Sequence, residues 1–230
     1  PGVPLHFPRP HRIVELARAV GVPVIGDVEL FARTVGALPA HARPKIIGVT
    51  GTNGKSTTTA LIGHILREAG KDARVGGNIG TGVLGLPRLH AGAIYGLELS
   101  SYQLDLVESL RCDAAVLLNI TPDHLDRHGG MEAYIAAKAR IFANQGAGDW
   151  AVIGVDTPPT SSLATRLTAT AAQRVAPISN VQALGRGVAA IGGRIYDSLD
   201  GQARIGADLS LARALPSARH GCGGSFIGWP

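Results

Sequence analysis

The sequence predicts an α/β fold: a mostly parallel sheet flanked by helices, followed by a small β-hairpin region. Three observations predict it. Short apolar runs alternate with helix-period segments from Lys45 to Ser179. At one junction, the apolar run Ile46-Ile47-Gly48-Val49 meets a glycine loop, Gly51-Thr52-Asn53-Gly54-Lys55-Ser56, and then a helical pattern. From Gly185 onward that rhythm stops, and two short strand-like runs flank Gly192-Gly193.

In chain order, residues 10–20 read as an amphipathic helix with Ile13, Leu16, Ala17 and Val20 on one side. Val22 to Ile25 reads as a short strand, and Asp27 as the cap of a short helix through Arg33. Pro39 and Pro44, set among small residues, mark Ala37 to Pro44 as a linker, with a boundary between 43 and 44. Strands are then expected at Lys45–Thr50, Arg74–Gly77, Ala93–Leu99, Asp113–Ile120, Trp150–Val155 and Arg174–Ser179. Helices are expected at Ser56–Ala69, Met131–Asn144 and Ser161–Ala172. Gly187–Ile191 and Arg194–Asp197 form the hairpin, and Ala203–Ile205 adds a strand. Residues 44–216 make one domain and 217–230 an irregular tail, in which Gly221 to Pro230 has neither helical nor strand period.

The chain has 230 residues, 45% hydrophobic and only 4% aromatic, which points to an aliphatic core. Its net charge of +5 is spread without a Lys/Arg run or interleaved aromatics, so a nucleic-acid surface is not expected. Cys112 and Cys222 make no disulfide framework, which suits a reducing cytoplasm. No apolar stretch reaches the roughly 18–20 residues of a membrane span.

The loop at 51–56 carries the most chemistry. A strand, a glycine loop, Lys-Ser and a helix together cradle nucleotide phosphates: backbone N–H groups and the helix N-terminus face the anion. Lys55 reaches β/γ-phosphates and Ser56 holds Mg²⁺. The spacing is a variant, because the position five before Gly54 is Val49 rather than glycine. Glu98 closes an apolar strand and needs a partner if buried. That partner is a metal on the triphosphate, or else the side chain simply reaches solvent. The segment Thr121-Pro122-Asp123-His124-Leu125-Asp126-Arg127-His128 is equally an ordinary polar loop or a metal-binding one through His124. On the helix after it, Tyr134, Lys138 and Ile141 share a face, so Lys138 either snorkels outward or serves the site.

Together these segments resemble the Mur ligases, ATP-dependent amide-bond ligases of peptidoglycan assembly. The family's loop has the same G-T-N-G-K-[ST] form. The resemblance is strongest to its D-glutamate-adding branch, through Gly76-Gly77-Asn78-Ile79-Gly80, Glu98-Leu99-Ser100-Ser101-Tyr102-Gln103-Leu104, the Asn119–His128 segment, the Lys138 helix and Gly26-Asp27-Val28-Glu29-Leu30-Phe31. The resemblance implies ATP bound by Gly51, Thr52, Asn53, Gly54, Lys55, Ser56 and Thr57. It implies one Mg²⁺ held by Ser56 and Glu98 and a second by His124, with a carbamylated Lys138 serving the metal site, and Lys55, His124 and Lys138 at the chemistry. Asn78, Ser100 and Gln103 would contact UDP-N-acetylmuramoyl-L-alanine, and D-glutamate would be the incoming amine. A cytoplasmic monomer is implied, with no nucleic-acid or membrane partner.

Full-length members have three domains. On this pattern residues 1–43 are the end of the first domain and 44–216 the second, so the polypeptide alone is expected to have little ligase activity. Near Leu215–His220 the family's H-N-x-x-N segment is approached, but Gly221 stands where its first Asn belongs. Two other readings remain: another Mur or folylpolyglutamate-type amino-acid ligase, or a non-catalytic nucleotide-binding module.

Overall fold

The computed structural model describes residues 9–170 and 172–208. The expectations for residues 209–230, including the tail and the Leu215–His220 segment, lie outside the described residues. The helices are α1 (Arg12–Ala19), α2 (Asp27–Ala37), α3 (Lys55–Glu68), α4 (Ser101–Asp105), α5 (Leu125–His128), α6 (Met131–Ala139) and α7 (Pro158–Thr170). The strands are β1 (Lys45–Thr50), β2 (Asp72–Gly77), β3 (Ala93–Glu98), β4 (Ala114–Leu117), β5 (Trp150–Gly154), β6 (Arg174–Ser179), β7 (Val188–Ile191), β8 (Arg194–Asp197) and β9 (Arg204–Asp208).

The nine strands among the described residues join one sheet in the order β2-β3-β1-β4-β5-β6-β7-β8-β9. Pairing is parallel from β2 through β7 and antiparallel in β7-β8-β9. The expected parallel α/β sheet and terminal hairpin are therefore both present. Strand β1 sits between β3 and β4, and the chain crosses outward to β2 before returning over β1 to β4. Parallel crossovers are right-handed, so connections running in opposite directions put helices on opposite faces. That reversal makes the carboxyl end of β1 a switch point, where α/β sheets bind ligands.

The main core joins Ile46, Tyr95, Leu97, Leu117 and Ile153 of the sheet to Tyr134 and Ile141. Helix α2, on the other side of the division drawn at 43/44, gives Val28, Phe31, Ala32 and Val35 to the same cluster. It runs on to Ala37 rather than ending at Arg33, because that apolar stripe continues. Glu29 lies on the same helix and is fully buried. Its oxygens accept hydrogen bonds from Glu108 N (2.8 Å), Ser109 N (2.9 Å), Ser109 Oγ (2.9 Å) and Arg33 Nε (2.8 Å). Burial alone would raise its pKa. The Ser109 N–H, Arg33, the Glu108 N–H and the Ser109 hydroxyl outweigh that and hold it at about 2.

Several local expectations differ from the structure. Val22 to Ile25 is not a strand, since it has no sheet neighbour. Asp27 is the first helical residue, with Gly26 as the cap, and its carboxylate accepts the Val28 N–H. On α1 the buried residue is Val14, packed with Leu106 and Val24, while Ile13, Leu16 and Val20 are exposed. Helix α6 ends at Ala139 and tightens into a 3₁₀ turn over Arg140–Phe142. Helices α4 and α5 were not expected at all; four to five residues are too few for a period to show.

Candidate functional site

At the carboxyl end of β1 the chain turns through Gly51–Gly54 into α3. Gly54 adopts φ +81°, a left-handed conformation natural to glycine, as the cap residue of α3. The first intrahelical bond runs from Thr58 N to Gly54 O, so the N–H groups of Lys55, Ser56 and Thr57 precede it. This is the positive end of a helix dipole, suited to an anion.

The loop is braced by the segment after β4. Thr52 N donates to Asn119 O (2.9 Å) and Asn53 N to Asn119 Oδ1 (2.9 Å), while Asn119 Nδ2 donates to Asn53 O (3.1 Å). Two N–H groups expected to face the anion are thus turned toward Asn119. The Lys55 amine folds back onto Gly51 O (3.0 Å) and Thr52 O (2.9 Å).

Glu98 ends β3 opposite Val49 of β1. It is 2% exposed, which removes the solvent-reaching alternative. Its Oε1 accepts from Asn78 Nδ2 (2.8 Å), and its buried Oε2 has no hydrogen-bond partner. The close approach of β2 depends on Gly77, at φ +103°, where a Cβ would lie 2.4 Å from Glu98 O. A buried carboxylate oxygen left unpaired is costly, and a cation satisfies it. Among the described residues no three His, Cys, Asp or Glu side chains gather to hold a metal by themselves. The donor set therefore fits a Mg²⁺ that takes most of its ligands from phosphates and water.

Lys138 does not snorkel. It is 1% exposed, and its amine donates to Gly51 O (2.8 Å) while lying 4.8 Å from the Tyr134 ring centre. Burial, and then the neighbouring Lys55 charge, bring its pKa down to about 7. Tyr134 and Ile141 are buried on the same face, as the helical spacing predicts.

His124 is the non-glycine residue with positive φ (52°) among the described residues, and it forms the cap of α5. Its ring stands 5.1 Å from Tyr102, and its Nε2 is 3.4 Å from Asp123 Oδ2. Lys55, Asn78, Ser100, His124 and Lys138 line one cavity of about 150 Å³, with Tyr102 and Tyr134. Ser56 and Thr57 lie outside its lining, exposed on the first turn of α3. Ser100 and Gln103 form a capping box that starts α4: Ser100 Oγ accepts Gln103 N (3.2 Å), and Gln103 Oε1 accepts Ser100 N (3.1 Å).

A second cavity, of about 580 Å³, opens beside Asn53 and Gly54 and reaches Asp156, Ser179 and Asn180. The sequence reading missed these three residues. They follow β5 and end β6, so their place at strand carboxyl ends was the available signal. Asp156 accepts from Ser179 Oγ (2.5 Å) and Asn180 N (2.9 Å), which holds the far wall in place.

Known proteins match this arrangement. A relative from Caulobacter sp. (strain K31), named "UDP-N-acetylmuramoylalanine--D-glutamate ligase", is 62% identical over 220 residues, covering 96% of this chain and 47% of its own. A relative of the same name from Rhodospirillum rubrum is 47% identical over 221 residues, covering 96% and 45%. The chain thus spans about half the length of the curated relatives it matches. Among solved structures, a UDP-N-acetylmuramoyl-L-alanyl-D-glutamate–2,6-diaminopimelate ligase superposes with TM-score 0.56 at 27% identity, over 79% of this chain and 44% of that one. The Thermotoga maritima MurF ligase, solved with ADP, shares the fold, with TM-score 0.53 at 19% identity over 80% and 42%. The Mur ligase middle domain model matches residues 49–184, from the last turn of β1 through the glycine loop, Glu98, His124 and Lys138 to the strands beyond. The braced loop, the buried Glu98 and the buried Lys138 thus lie inside that match, and the chain belongs to the Mur ligase middle-domain family.

Proposed function

We propose that residues 44–216 are the ATP-handling domain of a ligase that joins D-glutamate to UDP-N-acetylmuramoyl-L-alanine. The observation that carries the reading is the unpartnered Glu98 Oε2, buried one strand away from a phosphate loop. The names of the relatives support D-glutamate as the incoming amine.

In this reading Lys55 exchanges the Gly51 and Thr52 carbonyls for the β/γ-phosphates of ATP. Thr52 and Asn53 hold the loop's shape, while Gly51 and Gly54 let it approach the phosphates. The N–H groups at the start of α3 face the anion. The second cavity, walled by Asp156 and Asn180, receives the nucleoside. Ser56, Glu98, His124 and a carbamylated Lys138 would hold Mg²⁺, whose charge neutralises the transferring phosphoryl group. A pKa of about 7 leaves much of the Lys138 amine neutral near neutral pH, the form that attacks CO₂. The carbamate replaces a buried cation with an anion beside Lys55.

The chemistry is activation followed by aminolysis. The substrate carboxylate forms an O–P bond to the γ-phosphorus as the bond to ADP breaks, giving an acyl phosphate. The D-glutamate amine then attacks the acyl carbon, loses a proton and expels phosphate. Asn78, Ser100 and Gln103 orient the UDP-sugar, and placement of the reacting atoms supplies much of the rate. The test is a chimera in which residues 9–208 replace the matching segment of the Caulobacter relative. Phosphate release that requires both UDP-N-acetylmuramoyl-L-alanine and D-glutamate is expected. A well-folded chimera that binds ATP without any amino-acid-dependent turnover overturns the reading.

A further inference from the structure

Helix α6 holds the glycine loop at two adjacent points, and only one of them is a residue of the proposed chemistry. Lys138 donates to Gly51 O at 2.8 Å. One turn earlier, Tyr134 places its hydroxyl 3.1 Å from Thr52 Oγ1. That oxygen also lies 3.1 Å from Thr121 O and accepts from Thr121 N at 3.0 Å.

A threonine hydroxyl has one proton and two lone pairs. Thr121 O can only accept, so it takes the Thr52 proton. Thr121 N can only donate, so it fills one lone pair. The remaining lone pair faces Tyr134, and the phenol must be the donor. Thr52 is thereby saturated. It ties together the glycine loop, the segment after β4 and helix α6.

We propose that Tyr134 is a positioning residue whose hydroxyl holds the Gly51–Thr52 turn against α6 independently of Lys138. The inference rests on the ligase reading only for its consequence. Converting the Lys138 amine to a carbamate leaves a single N–H on Nζ and adds an anion beside Gly51 O, which weakens that hold, and the Tyr134 tether then keeps the loop in register. The aromatic ring adds packing against Lys138 and His128, with the His128 ring at 5.3 Å. Tyr134→Phe preserves that packing and removes the tether alone.

The test is hydrogen exchange of the loop amides in the 230-residue chain without nucleotide, followed by ATP·Mg²⁺ titration. Tyr134→Phe is expected to speed exchange at residues 51–54 by about three- to tenfold, the scale of one hydrogen bond. Exchange in β4 and β5 and the thermal midpoint stay close to those of the parent chain. Thr52→Val, which also loses both bonds to Thr121, speeds exchange at least as much, Thr52→Ser restores protection, and adding Tyr134→Phe to Thr52→Val makes it no worse than Thr52→Val alone. Loop exchange unchanged in Tyr134→Phe, or effects that multiply in the pair, overturns the inference. ATP affinity falls in step with loop protection if the nucleotide reading also holds. A parent chain that fails to bind ATP sinks that reading, while the exchange comparison still decides the tether.

Discussion

Among the described residues Glu29, Glu98 and Asp149 are buried carboxylates, and the surroundings of the first two differ in one respect. Glu29, on α2, has both oxygens filled by backbone N–H groups, a hydroxyl and a guanidinium. Glu98, at the end of β3, has one oxygen bound to Asn78 and the other bound to nothing among the described residues. A saturated buried charge is a fastener, here locking α2 to the turn before β4. A buried charge with an open acceptor carries a cost that the fold itself does not recover, and the Mg²⁺ of the proposed function would offset it.

Exchanging each carboxylate for an amide breaks this comparison most directly. In the chimeric ligase, Glu98→Gln is expected to lower amino-acid-dependent phosphate release by about 10²–10³-fold, the scale of losing one electrostatic stabiliser. Its urea midpoint should hold or rise, because an unpaired buried charge is removed. A Glu98→Gln protein with full activity would collapse the distinction.

Glu29→Gln should behave in the opposite way. A carboxyl held at about 2 against an ordinary 4.5 corresponds to roughly 3 kcal/mol of stability. This contribution is fully present above the unfolded value and is lost as pH falls through 4.5 toward 2. Glu29→Gln should lose most of it at neutral pH and flatten the acid limb of the stability curve. Activity per folded molecule should be unchanged.

Lys138 sharpens the comparison from the cationic side. Its folded pKa of about 7 lies below the ordinary 10.5, so between the two values the unfolded chain binds more protons. Stability then rises with pH from 7 toward 10.5, by roughly 2 kcal/mol at about pH 8.5. Below 7 the cost of the buried ammonium is present in full. Urea midpoints measured across that window should climb in the parent chain and stay level in Lys138→Met.

The smallest effect separates two roles for Ser100. Its hydroxyl starts α4 through the capping box, so Ser100→Ala should cost about 1 kcal/mol in urea unfolding. If the side chain also contacts the UDP-sugar, the KM for that substrate rises in the chimera while the KM for ATP does not.

Much of this was legible in the sequence because it depends on short-range order. The strand-loop-helix around Gly51–Ser56 and the alternation from Lys45 to Ser179 are patterns within single elements, and the sheet confirms them. That Tyr134, Lys138 and Ile141 share one face follows from helical spacing, although the burial of the Lys138 amine does not. The exposed stripe of α1 shows the limit of that logic: its period is real, but Val14 is the residue that meets Leu106. Likewise Val22 to Ile25 is as apolar as a strand, yet it has no neighbour in the sheet.

By itself, the sequence determined the class of fold and the glycine loop between strand and helix. Both are patterns carried by neighbouring residues. Only the tertiary structure decided that Glu29 is saturated and Glu98 is not, that Lys138 is buried under Gly51, and that Thr52 is shared between Thr121 and Tyr134. Those outcomes depend on which distant backbone groups arrive within 3 Å of a side chain. Hydrogen-bond saturation is a property of assembled neighbours, and no local pattern of residues encodes it.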